Sequence, residues 1–280
     1  MATNSPVESY LLGSTSAEHE RLIRQAAIFN PLTERFFRDA GVSRGQCVLD
    51  IGSGLGDVSM LVASVVGPMG RVVGVDSDPS IIAKAKDRIA EARVQNVNFI
   101  ECDVGHVPSG ELFDAIVGRL ILQFLPDPGA VVGSLVKSLR PGGVLAVQDA
   151  CWGPFLQLSA VLPLRSKCAT LIYQAFQRSG ANMDMEFVLY RTFQEAGLPP
   201  PRMRIEVPLG GDPELARWAY DLFCSLLPRM RQHKLSFEGV GEVGTLRERL
   251  GAELEARKAF GATIGLVGAC SRKPGGAGSN

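Results

Sequence analysis

Val48-Leu49-Asp50-Ile51-Gly52-Ser53-Gly54-Leu55-Gly56-Asp57 is the stretch that decides the fold. The apolar run CVLDI, starting at Cys47, reads as a buried strand, the glycines as a tight turn, and residues 58–66 as an apolar helix. Glycines at such a turn let backbone N–H groups approach a ligand closely, and the amides of a helix start face it. A dinucleotide fingerprint would be G-x-G-x-x-G. Here the glycines fall at 52, 54 and 56, and Asp57 stands where the last glycine belongs. Asp50, two residues ahead of the first glycine, would repel a pyrophosphate. It suits a ligand that carries an ammonium group and a sulfonium.

Working outward, short apolar runs alternate with helical patterns. RVVGVD, VNFIEC, FDAIVG and PGGVLAVQD read as strands, and Asp78-Pro79 and Asp127-Pro128 as capped helix starts, the helices running to about residues 92 and 139. Strands alternating with helices of this length predict βαβ units and a parallel sheet. The alternation breaks at Cys151. Residues 152–180 and 184–196 read as helical, MRIEVP as a strand, and Asp212-Pro213 as the start of a helix that Pro228 should stop or kink. A polar helix over 239–258 and a last strand over 262–271 complete the pattern. At the other end, Thr15-Ser16-Ala17-Glu18 has capping-box spacing, and Asn30-Pro31 reads as the start of a second helix.

The acids recur at strand ends. Asp76 closes the second strand, 20 residues after Gly56, placed to accept hydrogen bonds from two ribose hydroxyls. Asp103 closes the third, where a carboxylate can receive an adenine amino group. With these residues in view, the chain resembles the class I S-adenosylmethionine-dependent methyltransferases. VLDIGSGLGD, VVGVDSDP, NFIECDV, FDAIVGRLILQFLPDP and LRPGGVLAVQD carry the likeness, in order, over residues 42–150. Within that superfamily the chain looks most like small-molecule enzymes of the quinone-biosynthesis type and their relatives in bacterial secondary metabolism.

The resemblance implies an α/β fold: a Rossmann-like, seven-stranded, mostly parallel sheet with helices on both faces and the last strand antiparallel. It implies an N-terminal helical lid (1–41), a cofactor-binding core (42–150) and a C-terminal part of the sheet with helical insertions over the substrate (151–280), all one catalytic domain. S-adenosyl-L-methionine is the implied cofactor and S-adenosyl-L-homocysteine its product. Asp50, Gly52, Ser53, Gly54 and Gly56 should surround the methionine part, Asp76 and Ser77 the ribose, and Asp103 and Val104 the adenine. Gly118 and Arg119 should lie beneath the methionine part, Arg119 pairing either with the cofactor carboxylate or with a surface acid. Gln25 is a further candidate for that carboxylate.

Ligands of open α/β sheets sit outside the C-terminal strand ends. The ends of the fourth and fifth strands are therefore left for the methyl acceptor. Gln148, Asp149, Tyr173 and His19 are the candidate catalytic groups, and Tyr10, Gln123, Trp152, Phe155, Phe176 and Trp218 the candidate substrate contacts. A cover that keeps water from a sulfonium has to be apolar, so a small, largely apolar or aromatic acceptor is expected, methylated at carbon, nitrogen or oxygen. The alternatives are a methyltransferase acting on protein or RNA, and a regulator that senses the cofactor without turnover.

Composition narrows the choice. Lys plus Arg and Asp plus Glu both number 29, so the net charge is zero, against a general nucleic-acid binder. There is no Pro-Cys nucleophile, and Gly118-Arg119-Leu120-Ile121 replaces the Asp/Asn-Pro-Pro-Tyr-like turn of enzymes that methylate amino groups of DNA bases. No Asn follows an Asp, as a magnesium-assisted catechol enzyme would want, and no CxxC occurs, so no metal is expected. The six cysteines lie mostly in apolar runs, as core residues of a reducing compartment. MATNSPVESY lacks the basic and apolar regions of a signal peptide, and no apolar stretch approaches the ~20 residues of a membrane helix. A cytoplasmic chain that binds no membrane is expected.

Overall fold

A strand covered by helices on both faces needs apolar residues at odd and even positions alike, and this chain supplies them. The computed structural model describes residues 15–107 and 110–275. Its main sheet has seven strands: β1 (Cys47–Ile51), β2 (Arg71–Asp76), β3 (Val97–Glu101), β4 (Phe113–Arg119), β5 (Leu139–Cys151), β6 (Arg202–Glu206) and, after two short strands described below, β9 (Gly265–Arg272). The spatial order is β3-β2-β1-β4-β5-β9-β6. All neighbours from β3 to β5 are parallel, and β9 runs antiparallel to both β5 and β6. This is the Rossmann-like sheet with an antiparallel last strand that the motifs imply.

The chain groups into two compact units, each discontinuous in sequence. The sheet unit comprises 29–151, 182–206 and the chain from 265 onward. Alternate strand residues feed two cores. Leu49, Val73, Ile116, Leu145 and Val147 pack with α4 (Pro128–Leu135) and α7 (Met185–Glu195), through Val132, Leu135, Leu189 and Phe193. Val48, Val72, Ala115, Val117 and Ala146 pack with α2 (Asp57–Val66), α3 (Pro79–Glu91) and the end of α1 (Ser16–Ala40), through Val62, Ile82, Phe36 and Phe37. Asp78 and Asp127 cap α3 and α4 as read, each accepting backbone N–H bonds ahead of an N-terminal proline.

The helical unit comprises α1 up to Ile28, residues 152–181 and residues 207–264. It contains α5 (Trp152–Ser159), α6 (Pro163–Arg178), α8 (Pro213–Gln232), α9 (Leu246–Ala256) and a two-stranded ribbon of β7 (Leu209–Gly210) with β8 (Gly261–Ala262). Among the described residues no helix is long and apolar enough to cross a membrane.

Three local expectations are corrected. Asn30-Pro31 starts no helix, because α1 runs unbroken through Pro31. Phe29, Thr33, Phe36, Phe37 and Ala40 form one buried stripe across the proline, and that burial outweighs the missing N–H. Pro228 likewise fails to end α8, where Leu226 and Met230, both 0% exposed, lie on either side of it. Residues 262–271 are not one strand. Ala262 pairs with Leu209 in the ribbon, Thr263 donates its N–H to the Pro208 carbonyl, and only from Gly265 does the chain join the main sheet.

Candidate functional site

The sheet unit places its switch point between β1 and β4: from β1 the chain adds β2 and β3 on one side, then returns to lay β4 on the other. Crevices outside the C-terminal strand ends open at such points. There β1 ends and the turn begins, with φ of +62°, +51° and +81° at Gly52, Gly54 and Gly56, a region only glycine enters freely. A Cβ at Gly52 would strike the Ile121 side chain at 2.6 Å, whereas one at Gly54 would meet nothing within 4 Å. Gly54 therefore fronts open space.

The acids hold this turn. Asp50 is 1% exposed, Ser59 donates to its Oδ2 at 2.6 Å, and Oδ1 has no partner. Burial pushes its carboxyl up to about 7, against the Ser59 bond and the positive charge of Arg119. Buried Ser53 leaves its Oγ unpartnered, while its N–H ties the turn to the Val75 carbonyl. Asp76 accepts from the Gly54 N–H (2.9 Å) through Oδ2 and from the Asp78 N–H (3.1 Å) through Oδ1. Ser77 beside it is exposed. Asp103 is exposed and caps one helical turn through the Gly105 N–H (2.7 Å), while Val104 is buried.

At the end of β4, Gly118 is packed so tightly that a Cβ would meet Ile51 at 2.6 Å. Arg119 follows. Its Nη1 donates to Asn30 Oδ1 (2.9 Å) and Thr33 Oγ1 (3.0 Å), both on α1, and burial lowers its pKa to about 10. It is thus held by neutral groups rather than by a surface acid. Beyond it lie three buried polar residues: Gln123, Gln148 and Asp149. Gln123 Oε1, Gln148 Oε1 and Asp149 Oδ2 all lack partners. The Gln123 N–H reaches Asp149 Oδ1 at 3.4 Å, yet burial dominates and pushes the Asp149 carboxyl up to about 7.

In the helical unit the expected aromatic residues come together. The Trp152 ring lies 6.3, 6.2 and 5.0 Å from those of Phe155, Tyr173 and Phe176, and Phe155 lies 5.3 Å from Trp218. All but Tyr173 are buried. Gln25 Oε1 accepts from Trp218 Nε1 (3.2 Å) and from Arg21 Nη1 (2.8 Å). His19 is partly exposed near the start of α1, which Thr15 caps through the Glu18 N–H. Tyr10 lies outside the described residues.

Several participants escaped the sequence reading. Asn30 and Thr33 anchor Arg119 across 89 and 86 residues, a pairing no local spacing reveals. Glu18 and Arg21 form a buried two-point ion pair, to which Ser225 adds a bond. Their i,i+3 spacing was a visible signal. Arg165 was visible too, as a charged residue on the helix face of Cys168, Ala169 and Ile172.

Sheet order, glycine cradle and strand-end acids together define a class I S-adenosylmethionine-dependent methyltransferase fold. The residues suit that cofactor: a buried carboxylate with one oxygen free for an ammonium group, and open space in front of Gly54. The family model described as "Methyltransferase domain" matches residues 43–197, and the chain belongs to that family. It is 36% identical over 111 residues to the arsenite methyltransferase of Halobacterium salinarum, covering 39% of this chain and 28% of that protein. It is 33% identical over 119 residues to the ubiquinone/menaquinone biosynthesis C-methyltransferase UbiE of Haemophilus ducreyi, covering 41% and 46%. The matches thus span less than half of either relative. A solved S-adenosylmethionine-dependent methyltransferase from Aquifex aeolicus shares the fold, with a TM-score of 0.51 at 17% identity over 69% of this chain and 92% of that one.

Proposed function

We propose that this chain transfers the methyl group of S-adenosyl-L-methionine to a small, largely apolar or aromatic acceptor by in-line displacement. The observation that carries the reading is the buried, half-unpartnered Asp50 at the head of the 52/54/56 glycine turn. Asp50 and the unpartnered Ser53 hydroxyl would receive the amino-acid end of the cofactor. Arg119 is the candidate for its carboxylate. Asp76 would accept from the ribose hydroxyls, its unused lone pairs available beside the Gly54 and Asp78 bonds, with Ser77 adjacent. Asp103 and Val104 would frame the adenine. Bound there, the cofactor supplies an electrophilic methyl group on a sulfonium.

The chain's own contribution is orientation and exclusion of water, worth up to about 7–11 kcal/mol where reactants are well aligned. Asp149 is the candidate base: a buried carboxyl with its pKa at about 7 and a free oxygen can take a proton from an O–H or N–H acceptor near neutral pH. Gln123 and Gln148 offer unpartnered oxygens to the same donor.

The test is incubation with methyl-labelled cofactor and a panel of phenols, indoles and aryl amines, with and without EDTA. Label should enter the small-molecule fraction, matched by S-adenosyl-L-homocysteine and unaffected by the chelator. Label confined to added protein or RNA, or cofactor binding without any transfer, would contradict the reading.

A further inference from the structure

Arg119 closes β4, one register step beyond the Gly118 that pairs with Ile51, and so stands level with the start of the glycine turn. The charges of Asp57 and Asp50, which flank that turn, both act on it. Among the described residues it forms an ion pair with neither. Asp57 is paired instead with Arg88 (2.8 Å), and Asp50 takes its bond from Ser59 (2.6 Å). With its pKa at about 10, Arg119 stays charged near neutral pH.

What holds it is neutral. Nη1 alone carries both bonds, to Asn30 Oδ1 (2.9 Å) and Thr33 Oγ1 (3.0 Å), and no bond from Nε or Nη2 is found among the described residues. Asn30 and Thr33 fall at i and i+3 of α1, on one helix face. Thr33 is 0% exposed, the polar member of the stripe it forms with Phe29, Phe36, Phe37 and Ala40. A hydroxyl buried there needs a hydrogen-bond partner, and Arg119 is that partner. Two neutral acceptors on one nitrogen fix the guanidinium plane without cancelling its charge. They leave the Nε–Nη2 edge, a fork that fits a carboxylate at two points. An aspartate at position 30 would have the same shape and would hold the arginine harder, but it would spend the charge.

We infer that Asn30 and Thr33 are positioning residues: they clamp Arg119 so that its free edge, with the charge intact, receives the carboxylate of the cofactor's amino-acid end. The inference rests on the cofactor reading proposed above, and all three residues lie within the sheet unit.

Calorimetric titration of the whole chain with S-adenosyl-L-homocysteine and with S-adenosyl-3-thiopropylamine, the same molecule without its carboxylate, reads the carboxylate's share as a ratio of affinities. In the wild-type chain the homocysteine form should bind at least about tenfold tighter. Thr33→Val, which keeps the shape and loses the hydroxyl, and Asn30→Ala should each cut that ratio about three- to tenfold, with the thiopropylamine affinity unchanged. Asn30→Asp separates positioning from scaffolding and covers the case in which Thr33→Val does not fold. It places an ion pair on Arg119, so the melting temperature should hold or rise, yet the ratio should fall furthest, toward one. A tie that served only to fasten α1 to β4 would gain from the aspartate and leave the ratio where it was. A wild-type ratio near one, or a ratio unmoved in Asn30→Asp, would overturn the inference and leave the cofactor reading standing. Binding of neither ligand by the folded wild-type chain would remove the cofactor reading, and the inference with it.

Discussion

Asp76→Ala should weaken binding of S-adenosyl-L-homocysteine by about ten- to a hundredfold, because hydrogen bonds to a charged group are worth about 1.5–3 kcal/mol each. Two losses act together. On the proposed reading the ribose hydroxyls would lose their acceptor, and the Gly54 and Asp78 N–H groups lose the carboxylate that fixes the turn and the start of α3. Asp76→Asn keeps one acceptor oxygen and should fall between the two. The carboxylate is only partly buried, so the fold should survive. Calorimetric titration with circular dichroism as the folding control checks it; wild-type affinity in Asp76→Ala would remove Asp76 from the site.

Gly54→Val should lower cofactor affinity by a comparable or larger factor through steric occupation. A Cβ at this position meets no protein atom within 4 Å, and on the proposed reading it would stand where the ligand lies. The left-handed φ of +51° adds about 1–3 kcal/mol of strain to the fold. Gly52→Val is the informative contrast: its Cβ would drive into Ile121, so the melting temperature should drop further. If Gly54→Val bound cofactor normally, the space in front of Gly54 would not be the cofactor's.

Much of this was legible because the signals are local. A strand covered on both faces writes a continuous apolar run, and Asp-Pro writes a helix start, which is why β1 to β5 and the starts of α3, α4 and α8 fell where expected. The glycine turn was legible for the same reason: Asp50, the three glycines and Asp76 are fixed by spacing along one βαβ unit. Pro31 and Pro228 misled because a proline's local penalty was set against a buried stripe that only the tertiary structure displays. The division of residues 262–271 depends on partners at Leu209 and in β5, more than fifty and more than a hundred positions away. Arg119 stands out in the sequence at the end of β4, yet its anchors Asn30 and Thr33 belong to a helix far upstream, where Asn30 reads as a cap.

Titration of the wild-type chain with S-adenosyl-L-homocysteine and, in parallel, with NAD tests the central claim most directly. The acid at position 50 and the 52/54/56 glycine spacing predict saturable one-to-one binding of S-adenosyl-L-homocysteine and no heat from NAD. Binding of NAD, or no binding of S-adenosyl-L-homocysteine by the folded chain, would contradict it.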